Sequence, residues 1–141
     1  TRGAEMHPTV RAMLAAGTYI SAADYLLAQR ARAAFTRQCR EILRNVDVLA
    51  GPMEAITAHR IDETEVRVGD RVLASSPALT QYTRPFNLTG FPAITVPCGF
   101  GDDGMPIGLQ LAGRPFDEET VLRAAHAYEQ ATEWHHRRPP I

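Results

Sequence analysis

Three short apolar segments bounded by glycine or proline constrain the fold of this chain more than any other feature. They are Val46–Ala50, Ala93–Val96 and Ile107–Ala112. Each has the length and composition of a buried strand. The last two are separated by a turn-rich stretch and predict an antiparallel pair, with Pro92 and Pro97 flanking the first strand and leaving its ladder uninterrupted.

Helical periodicity fills most of the space between these strands. Short helices are predicted over residues 5–16 and 80–88. A long helix is predicted from Ser21 to about residue 46, with Asp24 completing a variant capping box, and Asp117 is the expected N-cap of a final helix. Residues 53–79 indicate a solvated surface segment with local turns or strands.

This order of elements predicts an α/β fold in which helices flank a partial mixed sheet. Three strands make a small sheet whose edges and one face stay open. Further chain is therefore expected to complete the sheet, and residues 1–141 alone are expected to be poorly soluble or oligomeric.

Composition excludes several classes of partner. Hydrophobic residues make up 45% of the chain, charged residues 22%, and the formal net charge is −1. This balance is typical of a globular domain and gives no basic surface for nucleic acid. There is no apolar run of the roughly 20 residues that span a bilayer, and no secretory leader is recognisable, so a cytoplasmic location is expected.

Metal, disulfide and cofactor chemistry find no support in the spacing of ligand residues. Cys39 and Cys98 lie far apart without a C-x-x-C pattern, and free buried thiols are favoured over a disulfide. His126, His135 and His136 lack ligand spacing, and the last two lie in a tail expected to face solvent. We expect no metal and no cofactor.

Two blocks near the C-terminus carry a resemblance. Residues 83–99 contain Thr-x-x-x-Asn-x-x-Gly-x-Pro-Ala, and residues 104–113 contain Pro-x-Gly-x-Gln. Together they resemble the late core of amidase-signature enzymes, and Asp47-Val48-Leu49 with Pro52 is similar to an upstream strand of that family. That strand usually continues into a Pro-Thr turn, where this chain has Met53.

The resemblance covers nearly all 141 residues, most weakly between residues 53 and 78. It implies that residues 1–141 are the C-terminal part of a single amidase domain with the α/β/α fold of the family, and that the N-terminal catalytic part is missing.

The catalytic set that the resemblance implies is absent from these residues. Family members use a Ser–cis-Ser–Lys triad, in which lysine acts as the base and a serine forms the acyl-enzyme. All 15 basic residues here are arginine, whose guanidinium does not lose its proton near neutral pH. Ser75-Ser76 precedes a proline and indicates turn chemistry. No catalytic residue is assigned, and the isolated chain is expected to be inactive.

The resemblance implies that this part helps to form the wall of the substrate funnel, with Thr83, Arg84, Phe86 and Asn87 as the candidate substrate-binding residues. Each has a structural alternative. Asn87 is as well suited to a hydrogen bond within its own turn. Phe86 is favoured as a core residue, and Arg84 can meet a carboxylated substrate or water.

Three neighbouring positions are predicted to be structural. Gly90 and Gly108 allow a close backbone approach or a positive φ. Gln110 is expected to satisfy backbone groups where the strands meet the rest of the sheet.

Three functions remain open at this point. The leading one is the C-terminal segment of an amide hydrolase acting on a small-molecule amide, with homodimerisation undecided. The second is the A subunit of a tRNA-dependent amidotransferase, which requires a stable protein partner. The third is a truncated, non-catalytic binding or scaffold protein, suggested by the missing triad.

Overall fold

The structure, a computed structural model, describes residues 3–138. Its helices are α1 (Pro8–Gly17), α2 (Ala22–Ile42), α3 (Ser75–Thr80), α4 (Arg84–Thr89) and α5 (Glu118–Gln130), with short 3₁₀ turns at Gly3–Glu5 and Trp134–His136. Its strands are β1 (Val48–Pro52), β2 (Glu65–Val68), β3 (Arg71–Ala74), β4 (Ala93–Phe100) and β5 (Pro106–Gly113). The chain divides into two compact units, Thr1–Phe35 and Thr36–Ile141.

The first unit contains α1 and the larger part of α2. The predicted capping box is present at the start of α2, because the Asp24 backbone N–H donates to Ser21 Oγ at 3.1 Å and the Ser21 hydroxyl donates to Asp24 Oδ2 at 2.6 Å. The helix ends at Ile42, four residues earlier than predicted. Neither α1 nor α2 contains a buried residue within the described part of the chain, and their large apolar side chains are exposed: Val10, Met13, Leu14, Tyr25, Leu26 and Leu27.

The second unit is built on a three-stranded sheet in the order β1-β5-β4. The predicted antiparallel pairing of the last two strands is confirmed, with Ile94 opposite Leu111. β1 pairs antiparallel with the other side of β5, where Leu49 lies opposite Ala112. With helices on this sheet, the predicted α/β class is confirmed, and every strand pairing among residues 3–138 is antiparallel.

The expectation that Pro97 only flanks its strand is wrong. β4 continues to Phe100, and Pro97 lies inside it opposite Gly108. Among the described strands β4 is an edge strand, and its register shifts between Pro97 and Gly99. A proline is tolerated there because an edge strand with a bulge does not need the missing N–H.

Helix α5 covers one face of this sheet. Val96 and Leu111 from the sheet and Ala125 from α5 form the buried cluster, with Ile94 and Tyr128 packed around it. Burial of these apolar side chains is the main stabilising term for the second unit.

One expectation about α5 is corrected. Asp117 is its N-cap residue as predicted, but the Asp117 side chain makes no capping hydrogen bond. Leu122 lies on the solvent side of the helix and is 58% exposed.

Arg114 joins the end of β5 to the segment between α2 and β1. Its Nε donates to the Leu43 carbonyl at 2.9 Å, and its Nη2 donates to the Val46 carbonyl and to Asp47 Oδ1, both at 3.0 Å. Leu43, at the start of this segment, is only 1% exposed. The guanidinium thus satisfies carbonyls left over at the end of α2.

Residues 53–79 are more regular than their charge pattern indicated. β2 and β3 form an antiparallel hairpin that turns at Gly69, whose φ is +58°. Ser75 to Pro77 begin helix α3, whereas Ser75-Ser76 before a proline was expected to belong to a turn. Proline in the first helical turn costs no hydrogen bond, which explains why this tripeptide starts a helix.

Helix α4 begins four residues later than the predicted helix over residues 80–88 and ends at Thr89, one residue later than predicted. Gly90 adopts the left-handed conformation with φ +74°, and its N–H donates to the Phe86 carbonyl at 2.8 Å. No helix within residues 3–138 is both long and apolar enough to cross a membrane.

Candidate functional site

The four predicted substrate-binding residues lie on and just before α4, in different environments. Thr83 is half-buried, and its hydroxyl donates to the Thr80 carbonyl at 3.2 Å. Arg84 and Asn87 are exposed on the helix, and neither side chain has a hydrogen bond or ion pair within residues 3–138. Phe86 is half-buried.

Of these four residues, Phe86 lines a cavity. This cavity, which we name the Phe86 cleft, has a volume of about 240 Å³ and is lined by Leu49, Ala50, Gly51, Pro52, Tyr82, Pro85, Phe86 and Gln110. The cleft lies between β1 and the start of α4. The structure brings the benzyl group of Phe86 to an open apolar surface, and the exposed polar groups of Arg84 and Asn87 are elsewhere on the same helix.

Gln110 shapes this cleft. It is 7% exposed, and its Nε2 donates to the Tyr82 carbonyl at 3.1 Å. The prediction that Gln110 satisfies backbone groups is therefore confirmed, and the partner is the turn that leads into α4. A buried amide that loses this partner costs about 1–3 kcal/mol, so the side chain fixes the turn on the sheet.

A second cavity was not expected from the sequence. It has a volume of about 360 Å³ and is lined by Met53, Glu54, Ala55, Ile56, Thr57, Ala58, Pro106, Ile107 and Gly108. We call it the Met53 cleft. It is formed where the loop after β1 crosses the first residues of β5.

Two hydrogen bonds hold this loop. The Met53 N–H donates to the Gly108 carbonyl at 3.0 Å. The Thr57 hydroxyl donates to Asp103 Oδ2 at 2.6 Å, and Asp103 Oδ1 accepts from the Met105 N–H at 3.1 Å. The hydrogen bond from Thr57, followed by that from Met105, lowers the pKa of Asp103 below its usual value.

Gly108 is required at the crossing. A Cβ at this position would lie 2.7 Å from Thr95 Cγ2 and 3.3 Å from Met53 Cβ. The predicted close approach at Gly108 is confirmed, as is the positive φ at Gly90. The Asp103-Gly104 pair in the sequence indicates a turn before β5. It does not indicate that Asp103 accepts a hydrogen bond from Thr57.

The two thiols are free and half-buried. Burial raises the pKa of Cys39 and that of Cys98, which disfavours the nucleophilic thiolate. The Cys98 thiol points to the Ile107 carbonyl at 3.5 Å, a contact within the sheet. Among residues 3–138 no three His, Cys, Asp or Glu side chains are grouped so as to hold a metal ion.

The expectation that the histidine tail faces solvent is wrong for His135, which is half-buried in the 3₁₀ turn. Trp134 of that turn contacts Phe100, with ring centroids 6.2 Å apart, and the Arg137 guanidinium lies 4.7 Å from the Phe100 centroid. The aromatic contact at the end of β4 orders this tail.

Comparison with known proteins decides the family. The sequence model described as Amidase matches residues 1–122. The chain belongs to the amidase family. The resemblance read from the two sequence blocks is thereby confirmed.

Individual amidase relatives match nearly the whole chain. The chain is 41% identical over 133 residues to an amidase from Pseudomonas putida, and the match covers 94% of this chain and 28% of that protein. It is 40% identical over 146 residues to a glutamyl-tRNA(Gln) amidotransferase subunit from Chloroflexus aggregans, covering 100% and 29%. A crystal structure of an amidase matches with a TM-score of 0.86 at 30% identity, covering 91% of this chain and 29% of that one.

This amidase chain therefore spans less than one third of the length of these relatives. The share is 28% of the Pseudomonas amidase and 29% of the Chloroflexus amidotransferase subunit, so length does not separate the two relatives. The roles of Thr83, Arg84, Phe86 and Asn87 stay predictions.

Proposed function

We propose that residues 1–141 are the C-terminal part of a single amidase domain whose complete enzyme hydrolyses a small carboxamide. In this reaction a serine oxygen attacks the amide carbon and the C–N bond breaks, releasing ammonia or an amine. Water then opens the acyl-enzyme to the carboxylic acid. The observation that carries the proposal is the match to the amidase family over a sequence that contains no lysine.

Uncovered apolar surface supports the proposal that more of the domain belongs on this piece. The helices α1 and α2 have no buried residue in the described chain. Even their large apolar side chains are exposed, Met13 to 71% and Leu27 to 66%. The outer edge of β1 has no strand partner among residues 3–138. Monomeric proteins rarely leave such surfaces open, and the rest of the amidase domain is the proposed cover.

Within the complete enzyme, we place α4 in the wall of the substrate funnel. Phe86 supplies apolar surface in the Phe86 cleft. Arg84 and Asn87 carry polar groups that have no partner in the described chain and are available to a substrate. Thr83 holds the start of the helix through its hydrogen bond to Thr80.

The finer assignments belong to the same proposal. We place the enzyme in the cytoplasm, acting on a small-molecule amide without cofactor or nucleic acid. The amidotransferase alternative is supported by the relative from Chloroflexus, which is 40% identical. The scaffold alternative is supported by the missing lysine alone.

An assay of the complete protein separates these functions. We expect it to release ammonia from aliphatic or aryl carboxamides without a second subunit and without aminoacyl-tRNA. A fluorophosphonate probe should label one serine upstream of this segment, because that serine is the nucleophile. Ammonia release that requires a partner protein would favour the amidotransferase, and absence of both labelling and release would favour the scaffold.

Substitution of Phe86 tests the funnel wall. In the complete enzyme, Phe86→Ala should raise KM about tenfold, because a benzyl side chain that contacts substrate contributes about 1–3 kcal/mol. The matched control is Phe116→Ala, since Phe116 is 94% exposed and lies outside both clefts. Equal kinetics for the two variants, with each variant folded by circular dichroism, would remove Phe86 from the wall.

A further inference from the structure

The Met53 cleft has fixed walls, because the two hydrogen bonds at Met53 and Thr57 join its loop to residues far along the chain. The Thr57–Asp103 bond spans 46 residues. Space for it exists only without a side chain at Gly101, where a Cβ would lie 2.6 Å from Asp103 Oδ1 and 2.8 Å from Thr57 Cγ2. A site whose loop is held before binding loses less conformational entropy when a ligand enters.

Its lining combines apolar surface with one carboxylate. Met53, Ile56 and Ile107 supply aliphatic groups, and the Thr57 hydroxyl is already committed to Asp103. Glu54 is half-buried, and within residues 3–138 its carboxylate has no hydrogen bond and no ion pair. The volume of about 360 Å³ is that of a small-molecule site.

These features define the chemistry of an occupant. A carboxylate beside an apolar surface is compensated best by a cation that donates hydrogen bonds, because charge-assisted bonds are about twice as strong as neutral ones. The aliphatic lining in turn favours an uncharged hydrocarbon chain. An anion or a strongly polar neutral ligand would leave either the carboxylate or the apolar wall without a suitable contact.

We propose that the Met53 cleft binds a ligand with an aliphatic chain and a terminal ammonium group, whose N–H donors bond the Glu54 carboxylate. Thr57 is a positioning residue in this site, since it acts through Asp103 on the loop. The proposal concerns binding alone, so it stands or fails independently of the proposed amide hydrolysis.

Two probes of equal length test the charge requirement. n-Hexylamine and n-hexanol are titrated into the complete protein that carries this segment, and binding is followed by calorimetry or by ligand-observed NMR. The amine should bind more tightly than the alcohol, and added salt should weaken only the amine. Glu54→Gln should weaken the amine about fivefold and leave the alcohol unchanged, whereas the exposed Glu65→Gln should change neither.

Variants of Thr57 test the fixed loop. Thr57→Val removes the hydroxyl and should weaken both probes, while Thr57→Ser keeps the hydrogen bond to Asp103 and should restore their binding. The proposal is overturned if Glu54→Gln and Glu65→Gln bind the amine equally, if neither probe binds, or if the alcohol binds as well as the amine. Amide hydrolysis by the same preparation is recorded separately and does not enter this decision.

Discussion

Residues 1–141 on their own are expected to hydrolyse no carboxamide above the uncatalysed rate. The acyl-enzyme route of the amidase family needs a base and a serine nucleophile, and this segment contains no lysine. Loss of a complete nucleophile–base set costs about 10⁶-fold in kcat in a serine hydrolase. Ammonia release from a panel of aliphatic, aryl and urea-type amides measures the effect directly.

Reconstitution of the enzyme from two pieces provides a second test of whether the catalytic residues lie outside residues 1–141. Co-expression of residues 1–141 with the proposed upstream part of the complete protein should recover activity, because that part is proposed to cover the apolar surface that α1 and α2 expose. The upstream part alone is the control, and it should be inactive without its share of the scaffold. Measurable turnover by residues 1–141 alone would contradict the assignment of the chemistry to upstream residues.

Local signals account for what the sequence predicted well. The Ser21–Asp24 capping box, the stop of α4 at Gly90 and the pairing of β4 with β5 depend on residues close together in sequence. Such features follow from backbone geometry and side-chain hydrogen bonds over a few residues. They were therefore predictable before any tertiary contact was known.

Long-range contacts account for what was missed. Arg114 bonds the Leu43 carbonyl across 71 residues, and Thr57 bonds Asp103 across 46. No periodicity or motif predicts these two hydrogen bonds, because each partner taken alone is a residue type that is common in surface loops. The segment after β1, which was predicted to be a surface segment, therefore forms one wall of the Met53 cleft. Pro97 lies within β4, because β4 is an edge strand, and the sequence around Pro97 does not indicate that position.

The candidate wall shows the same division. Placement of Arg84, Phe86 and Asn87 on one short helix, with Thr83 as its N-cap residue, follows from the proline near its start and the glycine at its end. Which of them lines a cavity depends instead on β1 and Gln110, and only Phe86 meets the Phe86 cleft within the described residues. The sequence therefore predicted which segment contains the candidate residues, whereas contacts with the sheet determine that Phe86 lines the cleft.

Leu43→Ala should be the most destabilising single substitution in the second unit. Its side chain is 1% exposed, and truncation of a buried leucine costs about 2–5 kcal/mol through lost burial and the cavity left behind. The bond from Arg114 reaches the backbone carbonyl of Leu43, so the variant keeps that contact and isolates side-chain packing. A typical domain has only about 5–15 kcal/mol of stability to lose.

Thermal unfolding of the complete protein and its soluble yield measure this effect. Leu122→Ala is the matched control, because Leu122 is 58% exposed and a surface truncation changes stability by about 0.5 kcal/mol or less. Leu43→Met keeps the volume and should recover most of the loss. If the two alanine variants unfold at the same temperature, the Leu43 side chain contributes no core packing, and the segment between α2 and β1 is held by the Arg114 hydrogen bonds alone.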